Sequence, residues 1–200
     1  PTFSDLYDPW SGNRDLEPEK SKSLNLGIAQ NGDAWRWALD LYETRIDDLI
    51  TYDGSSFRMV QVDEARIRGA EFTVDVTVAG WDLSAQLSHT DPRNRSASND
   101  DKLLPRRARN TGRIDVDRAF GDFRIGATVN GAGYRYDELT NATRLGGFAT
   151  ADLRLEYAVT PEWTLLAKVD NVFDREYETI AWYNQPGREY GLSLRYQPKR

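Results

Sequence analysis

The stretch AWRWALDLY, residues 34–42, decides the fold. Trp35, Trp37, Leu39 and Leu41 occupy every second position, with Arg36, Ala38, Asp40 and Tyr42 between them. Successive side chains of a strand point to opposite faces, so one face is apolar and aromatic and the other mixed and polar. The same alternation recurs in nine segments, and their connections alternate between short and long. The expected connections run tight (30–33), long (44–64), tight (79–81), long (89–110), tight (121–122), long (133–145), tight (159–162) and long (171–186). A transmembrane β-barrel has this rhythm, with short turns on the periplasmic side and long loops outside.

Outward from the Trp35 strand, which is itself expected to extend past the bilayer toward Ile50, the expected first strand spans about Ser23 to Gln30, with Leu24, Leu26 and Ile28 on one face. It ends in Asn31-Gly32-Asp33, and Asn-Gly is the strongest short hairpin signal. The third strand, near Glu64 to Ala79, sets Ala70, Phe72, Val74, Val76 and Val78 against Glu71, Thr73, Asp75 and Thr77. The fourth carries Trp81, Leu83, Ala85 and Leu87 on its apolar face, and the sixth Phe123, Ile125, Ala127 and Val129. The fifth is weaker, since Arg118 falls in register with Ile114 and Val116; its stem is expected to snorkel at the membrane interface. The seventh presents Ala151, Leu153, Leu155 and Tyr157, the short eighth Leu165, Ala167 and Val169, and the ninth Tyr190, Leu192, Leu194 and Tyr196.

Trp35, Trp81, Phe123, Tyr157, Trp163 and Tyr196 all lie beside a tight turn or the chain end, which predicts an aromatic girdle at one interface. The competing arrangement is a β-sandwich interior, the core of a soluble all-β ligand-binding domain. A sandwich has no reason to gather aromatics at one end of every strand. Its core also rarely backs onto a face carrying Asp75, Asp82, Arg124, Asp152, Arg154 and Glu156. About ten residues at roughly 3.3 Å each, tilted about 45°, span the apolar band of roughly 25 Å that a membrane requires.

Composition agrees. The 200 residues have a mean hydropathy of −0.69 and no apolar run long enough for a spanning helix. A barrel dilutes its average because only alternate residues meet lipid. A net charge of −6 without a basic, aromatic-laced stripe argues against a nucleic-acid surface. The absence of cysteine removes disulfides, thiol catalysis and thiolate metal sites. The chain opens at Pro1 without a signal peptide and is expected to be a piece of something longer or a mature fragment. Nine antiparallel strands cannot close on themselves, so an open curved sheet is expected, with N-terminal strands supplied from elsewhere.

Enzyme signatures are missing: there is no Gly-x-Ser-x-Gly, no His-Glu-x-x-His and no phosphate loop. The lone His89 is read as a surface residue at the outer end of the fourth strand. Two acidic groups, Asn99-Asp100-Asp101 and Asp47, Asp48, Asp53, lack the pattern of a calcium loop and read as solvated loops, so no metal and no cofactor is assigned. Arg106, Arg107 and Arg109 form a basic cluster that either pairs with loop acids or attracts lipopolysaccharide phosphates.

Three stretches resemble a known family. PTFSDLY followed by DLEPEKSKSLNLG is similar to the "PTF-x-DLY … NP-x-L-x-PE-x-S" passage of TonB-dependent outer-membrane receptors. DNVFDREYET resembles their "N-L-F-D-x-x-Y" segment, and PGREYGLSLRY their terminal strand. Within the family, IDDLITYD, EARIRGAEFTVDV, LLPRRARN and DREYETIAWYNQPGREYGLSLRY are most similar to the cobalamin receptors, while ferric-siderophore receptors share much of this grammar. The resemblance covers residues 1–200 and implies an all-β antiparallel transmembrane barrel of about 22 strands, of which these are the nine C-terminal ones. It also implies a plug domain inside the barrel and a TonB box contacting the TonB complex, both outside this sequence. The surroundings would be outer-membrane lipid and lipopolysaccharide, with the C-terminus periplasmic. The implied activity is energised, high-affinity uptake of a scarce nutrient, cobalamin or a ferric chelate. Such barrels usually end on an aromatic residue; here Tyr196 is followed by Gln197, Pro198, Lys199 and Arg200.

Ligand capture is expected from outer-loop aromatics and amides: Tyr7, Trp10, Tyr52, Tyr134, Tyr136, Trp182, Tyr183 and Asn184. Rigid aromatic surface suits a large, flat ligand such as a corrin or a metal chelate. Tyr134 and Tyr136, which would continue the sixth strand, are also candidates for the outer girdle. Asp75, Arg124, Asp152, Arg154 and Glu156 are expected to face the lumen, there to meet the plug or to pair across strands. Asn171, Phe173 and Asp174 are read as structural, ending the eighth strand and turning its loop.

Overall fold

Backbone pairing runs from one end of the chain to the other. A computed structural model describes residues 1–198, so Lys199 and Arg200, which follow the expected terminal strand, lie outside the described residues. A one-turn helix α1 (Phe3–Tyr7), capped by Thr2 and Asp5 in a reciprocal box, precedes the strands. These are β1 (Lys20–Asn31), β2 (Trp35–Asp53), β3 (Arg58–Val78), β4 (Trp81–Asn94), β5 (Asn110–Phe120) and β6 (Phe123–Ala132). They continue as β7 (Arg135–Tyr136), β8 (Arg144–Leu145), β9 (Phe148–Ala158), β10 (Trp163–Asp170), β11 (Glu178–Ile180), β12 (Tyr183–Asn184) and β13 (Glu189–Tyr196). Nine of them form one antiparallel sheet in the order β1-β2-β3-β4-β5-β6-β9-β10-β13, and β1 and β13 are its unpaired edges. The pairs β7–β8 and β11–β12 are small hairpins in the loops that follow β6 and β10.

The nine expected strands and the tight turns are present. The Ala79–Gly80 turn places both residues at positive φ, 52° and 78°. That conformation matches the twist of the strands it joins, and Gly80 adopts it without cost. The expected loops were too generous. Residues 44–64 are no loop: β2 and β3 stay paired in constant register from Trp35↔Val76 out to Asp53↔Arg58, leaving a tip of only 54–57. Likewise β4 continues past His89 to Asn94, and β1 starts at Lys20 rather than Ser23. Apolar alternation marks the depth of the lipid band, whereas backbone pairing needs no apolar face. The ladder therefore outruns the pattern.

Burial is inverted relative to a water-soluble domain. Leu24, Leu26, Ile28, Leu87, Val129 and Leu153 on the apolar stripe are 75%, 69%, 61%, 48%, 46% and 49% exposed. Trp37 and Phe72 touch one another with ring centres 6.4 Å apart, and no second sheet among the described residues packs over them. The accessible surface is 13073 Å² for 22.8 kDa, against about 9600 Å² for a compact soluble chain of that mass. The buried apolar cluster lies instead at the loop end, where Leu49, Val62, Ala65 and Leu104 pack with Ile46, Ile67 and Leu139. At the tight-turn end, aromatic pairs form the girdle: Phe123–Tyr157 stack at 4.6 Å, Trp163–Tyr196 sit at 4.7 Å, and Trp81–Phe120 meet edge-on at 6.3 Å. Arg118 lies over Trp81 and Phe120, 5.2 and 4.6 Å from their ring centres, with its stem along the apolar face as expected.

Candidate functional site

The loop end holds together through one carboxylate. Asp137, 7% exposed, takes two hydrogen bonds from Arg106, Nε at 2.9 Å and Nη2 at 3.3 Å, and a third from the Ala181 amide at 3.2 Å. The β2–β3 tip presses on the same group, since a Cβ at Gly54 would lie 2.5 Å from its Oδ2. Arg106 also covers the Tyr52 ring at 4.7 Å and donates its amide to the Tyr136 carbonyl at 2.6 Å. Asp137 thus joins four segments: the tip, the β4–β5 loop, the β6–β9 loop and the β10–β13 loop. Nearby, Asn141 exchanges two bonds of 2.8 Å with the Leu103 backbone. Asp137 carried no sequence signal, because its partners lie 31 and 44 residues away.

The candidate ligand residues divide around this hub. Tyr52 is packed into it. Tyr134 and Tyr136 meet edge-on at 6.0 Å, and Arg144 covers Tyr134 at 4.3 Å. They do not continue the sixth strand: β6 stops at Ala132, and Tyr136 pairs with Arg144 in the β7–β8 hairpin. Tyr7 sits on α1 between Phe3 at 4.8 Å and Arg14 at 5.3 Å. The 1–19 segment reaches the same end by bonding along the β2–β3 extension, Met59 N to Ser11 O at 2.8 Å and Gln61 Nε2 to Glu17 O at 2.8 Å. Trp10 and Trp182 are 87% and 90% exposed, and Tyr183 and Asn184 form the exposed strand β12. The structure therefore gives a polar-bonded centre with exposed aromatic surface around it.

The face opposite the apolar stripe is a ladder of charges. Arg36 reaches Asp75 at 2.7 Å. Arg124 faces Asp82 at 3.6 Å and Asp117 at 3.7 Å. Arg154 bonds Thr128 and pairs with Asp117 at 3.0 Å and Asp115 at 3.7 Å. Glu156 meets Arg195 at 3.7 Å, and Asp152 accepts from Asn130 at 3.2 Å and from the Asn171 amide at 2.8 Å. Gly126, opposite Arg154, leaves the room: a Cβ there would stand 2.8 Å from the guanidinium and 2.3 Å from Asp117. All five expected lumen residues sit in this cross-strand network. Half-exposed ion pairs of this kind each contribute roughly 0–1 kcal/mol, so the ladder orders the face more than it stabilises the sheet.

The remaining motifs are accounted for locally. Asn171 (φ 50°) ends β10, its side chain bonding the Arg175 amide and carbonyl at 2.9 Å each. Asp174 accepts the Arg188 amide at 2.8 Å, while Phe173 is exposed. Asp53 closes the hairpin tip through Ser55 and Ser56, and Asp100 and Asp101 pair with Arg95 at 3.5 and 3.1 Å. His89 Nδ1 contacts Asn110 Oδ1 at 2.7 Å. The basic cluster is dispersed, with Arg106 on Asp137 and Arg109 on Asp91 at 3.4 Å.

Comparison with known proteins follows the same lines. The family model described as "TonB dependent receptor-like, beta-barrel" matches residues 1–172. Among solved structures, the chain is similar to the copper transporter OprC at 24% identity and TM-score 0.78, over 98% of this chain and 35% of that one. It is similar to the siderophore receptor PiuA of Acinetobacter baumannii at 15% identity and TM-score 0.78, over 92% and 29%. A third is the ferric preacinetobactin receptor BauA of the same organism, at 19% identity and TM-score 0.75, over 96% and 32%. The chain thus spans about a third of the length of these structures. An open nine-stranded sheet, apolar on one face and charged on the other, with its buried apolar cluster at the loop end of its strands, is a sector of barrel wall. The chain belongs to the TonB-dependent receptors of the bacterial outer membrane, as part of their β-barrel.

Proposed function

We propose that the protein carrying this chain imports a bulky, scarce metal complex across the outer membrane, and that this chain supplies wall and ligand-facing loops. The inverted burial carries the reading: a stripe open to lipid, a charged reverse face, and a buried apolar cluster at the loop end. In this reading the Asp137 hub holds the loops in shape. Exposed aromatics such as Trp10, Trp182 and Tyr183 offer flat surface to the ligand. Asp75, Arg124, Asp152, Arg154 and Glu156 face a plug domain, the TonB complex engages the rest of the protein, and the C-terminus lies in the periplasm. Transport then has two parts: capture by pre-ordered loops, and release inward when TonB acts on the plug.

For the ligand, the local likeness of residues 174–196 and 64–76 to cobalamin receptors favours a corrin. The names of the similar structures, which include siderophore receptors and a copper transporter, support a ferric chelate at least as well. Calorimetry on the full-length protein with cyanocobalamin, a ferric catecholate and a ferric hydroxamate separates them. Sub-micromolar binding of one and none of the others assigns the ligand. Millimolar or absent binding of all three, by protein that holds a folded barrel in detergent, refutes a metal-complex receptor.

A further inference from the structure

The strand register places four cations side by side on the apolar face, just beyond the lipid band. Lys22 lies opposite Arg45, Arg45 opposite Arg66, and Arg66 opposite Arg93, one from each of β1 to β4. Directly opposed like charges destabilise a sheet. An unbroken row of four needs a counter-charge.

The protein supplies little. The row two residues nearer the lipid holds Leu24, Glu43, Arg68 and Asp91 in the same register. Glu43 pairs with Arg45 at 3.0 Å. Asp91 is shared among Arg93 at 2.8 Å, Arg109 at 3.4 Å and Arg68 at 3.5 Å, and Arg93 also reaches Asp101 at 3.6 Å, so two carboxylates, one of them shared with Arg95, serve three guanidinium groups. No ion pair among the described residues reaches Lys22 or Arg66, and the Arg66 Nε is buried without a hydrogen-bond partner. This surplus stands in a chain whose net charge is −6.

The next row down, Leu26, Leu41, Ala70 and His89, begins the apolar stripe. A shallow hollow on this face joins the two kinds of surface, with Leu24, Leu26 and Leu41 at one side and Arg68, Asp91 and Arg109 at the other. Adjacent strands are about 4.8 Å apart and alternate residues about 6.7 Å. The row is therefore about 14 Å wide, room for more than one phosphate, and stands one side-chain step above apolar surface. Guanidinium groups bind phosphate through paired N–H donors, and basic side chains beside a membrane draw anionic headgroups.

We propose that Lys22, Arg45, Arg66 and Arg93 form a docking surface for a phosphorylated lipid of the outer leaflet, its phosphates on the cationic row and its acyl chains along Leu24, Leu26 and Leu41. The site rests on the barrel reading and is separate from the loop hub that serves the ligand.

The test uses the full-length protein in nonionic detergent, titrated with three probes: a bisphosphorylated acylated disaccharide lipid, its dephosphorylated counterpart, and inorganic phosphate. Native mass spectrometry reads occupancy. The phosphorylated lipid is expected to bind at least tenfold tighter than the dephosphorylated one, and millimolar phosphate is expected not to displace it. Arg45→Gln with Arg66→Gln abolishes the preference, and Lys22→Gln reduces it alone. Because removing like charges relieves repulsion, the double variant keeps its heat-modifiable mobility and melts no lower than the parent. Equal affinity for the two lipids, a preference that survives the double variant, or displacement by inorganic phosphate overturns the proposal. A lower melting temperature in the double variant overturns it too, by showing the row to be structural.

Discussion

Asp137→Ala tests whether one carboxylate organises the loops. The substitution removes two bonds from Arg106 and one from the Ala181 amide. Breaking a fully buried ion pair costs about 3–5 kcal/mol and an exposed one about 0–1 kcal/mol. Side-chain exposures of 27% for Arg106 and 10% for Asp137 put this pair between those limits. Arg106 also keeps its contact with Tyr52, and some access to water. Adding the orphaned Ala181 amide, the loss comes to about 3 kcal/mol of local order. At 1.4 kcal/mol per tenfold, that is roughly a hundredfold rise in local opening. Hydrogen exchange by mass spectrometry on detergent-solubilised full-length protein should show it in 95–109, 133–145 and 171–188, while the β5–β6 ladder exchanges as before. Asp137→Asn, which keeps an acceptor for Ala181, should lose about half as much. Unchanged exchange at Ala181 and Arg106 would refute the hub. Faster exchange throughout the sheet would also refute it, because Asp137 would then support the fold rather than the loops.

Three further outcomes are expected. Burial works to raise the Asp53 carboxyl, and hydrogen bonds from Ser55 and Ser56 overcome it, leaving it below the ordinary carboxylate value. Order at the 54–57 tip is thus fully present above the unfolded value of about 3.9 and lost as pH falls through the lower folded one. Exchange protection of the Ser56 amide should show that step, and Asp53→Asn should abolish it. Gly69→Ala would bring a Cβ within 2.4 Å of the His89 carbonyl and 2.6 Å of the Tyr42 hydroxyl, which bonds Thr90 at 2.9 Å. A backbone carbonyl in a ladder cannot give way, so the cost is about 1–3 kcal/mol, read as a lower melting temperature of the heat-modifiable band. Arg154→Leu takes from Asp117 its nearer cation and from Asp115 its cross-strand one, leaving Arg124 beside the first and Arg113 beside the second. It should cost about 1–2 kcal/mol at low salt and less at high salt, with Asp117→Asn restoring part in the double variant.

What could be read from the sequence, and what could not, divides by the range of the interaction that fixes each feature. Trp35, Trp37, Leu39 and Leu41 announce a lipid-facing strand because the side chain at each position answers to its own surroundings, a solvent on either face. The girdle is legible for the same reason: Trp163 and Tyr196 sit where membrane meets water, whatever they touch. The extension of β2 toward Ile50 was legible, but the matching outer half of β3 was hidden: Arg58 to Arg68 leave the lipid band and lose their apolar alternation, and Val62 and Ala65 are buried by Leu49 and Leu104 from elsewhere in the chain, although the backbone still pairs. Asp137 could not be found at all. Its meaning lies in Arg106 and Ala181, on other loops, and no local period connects them. The cationic row belongs to the same class, since Lys22, Arg45, Arg66 and Arg93 are four scattered basic residues until register lines them up. A barrel wall therefore shows its fold in single positions and its chemistry in pairings. Substitutions on the stripe should accordingly act one at a time and nearly add, whereas those in the hub, the ladder and the row should couple.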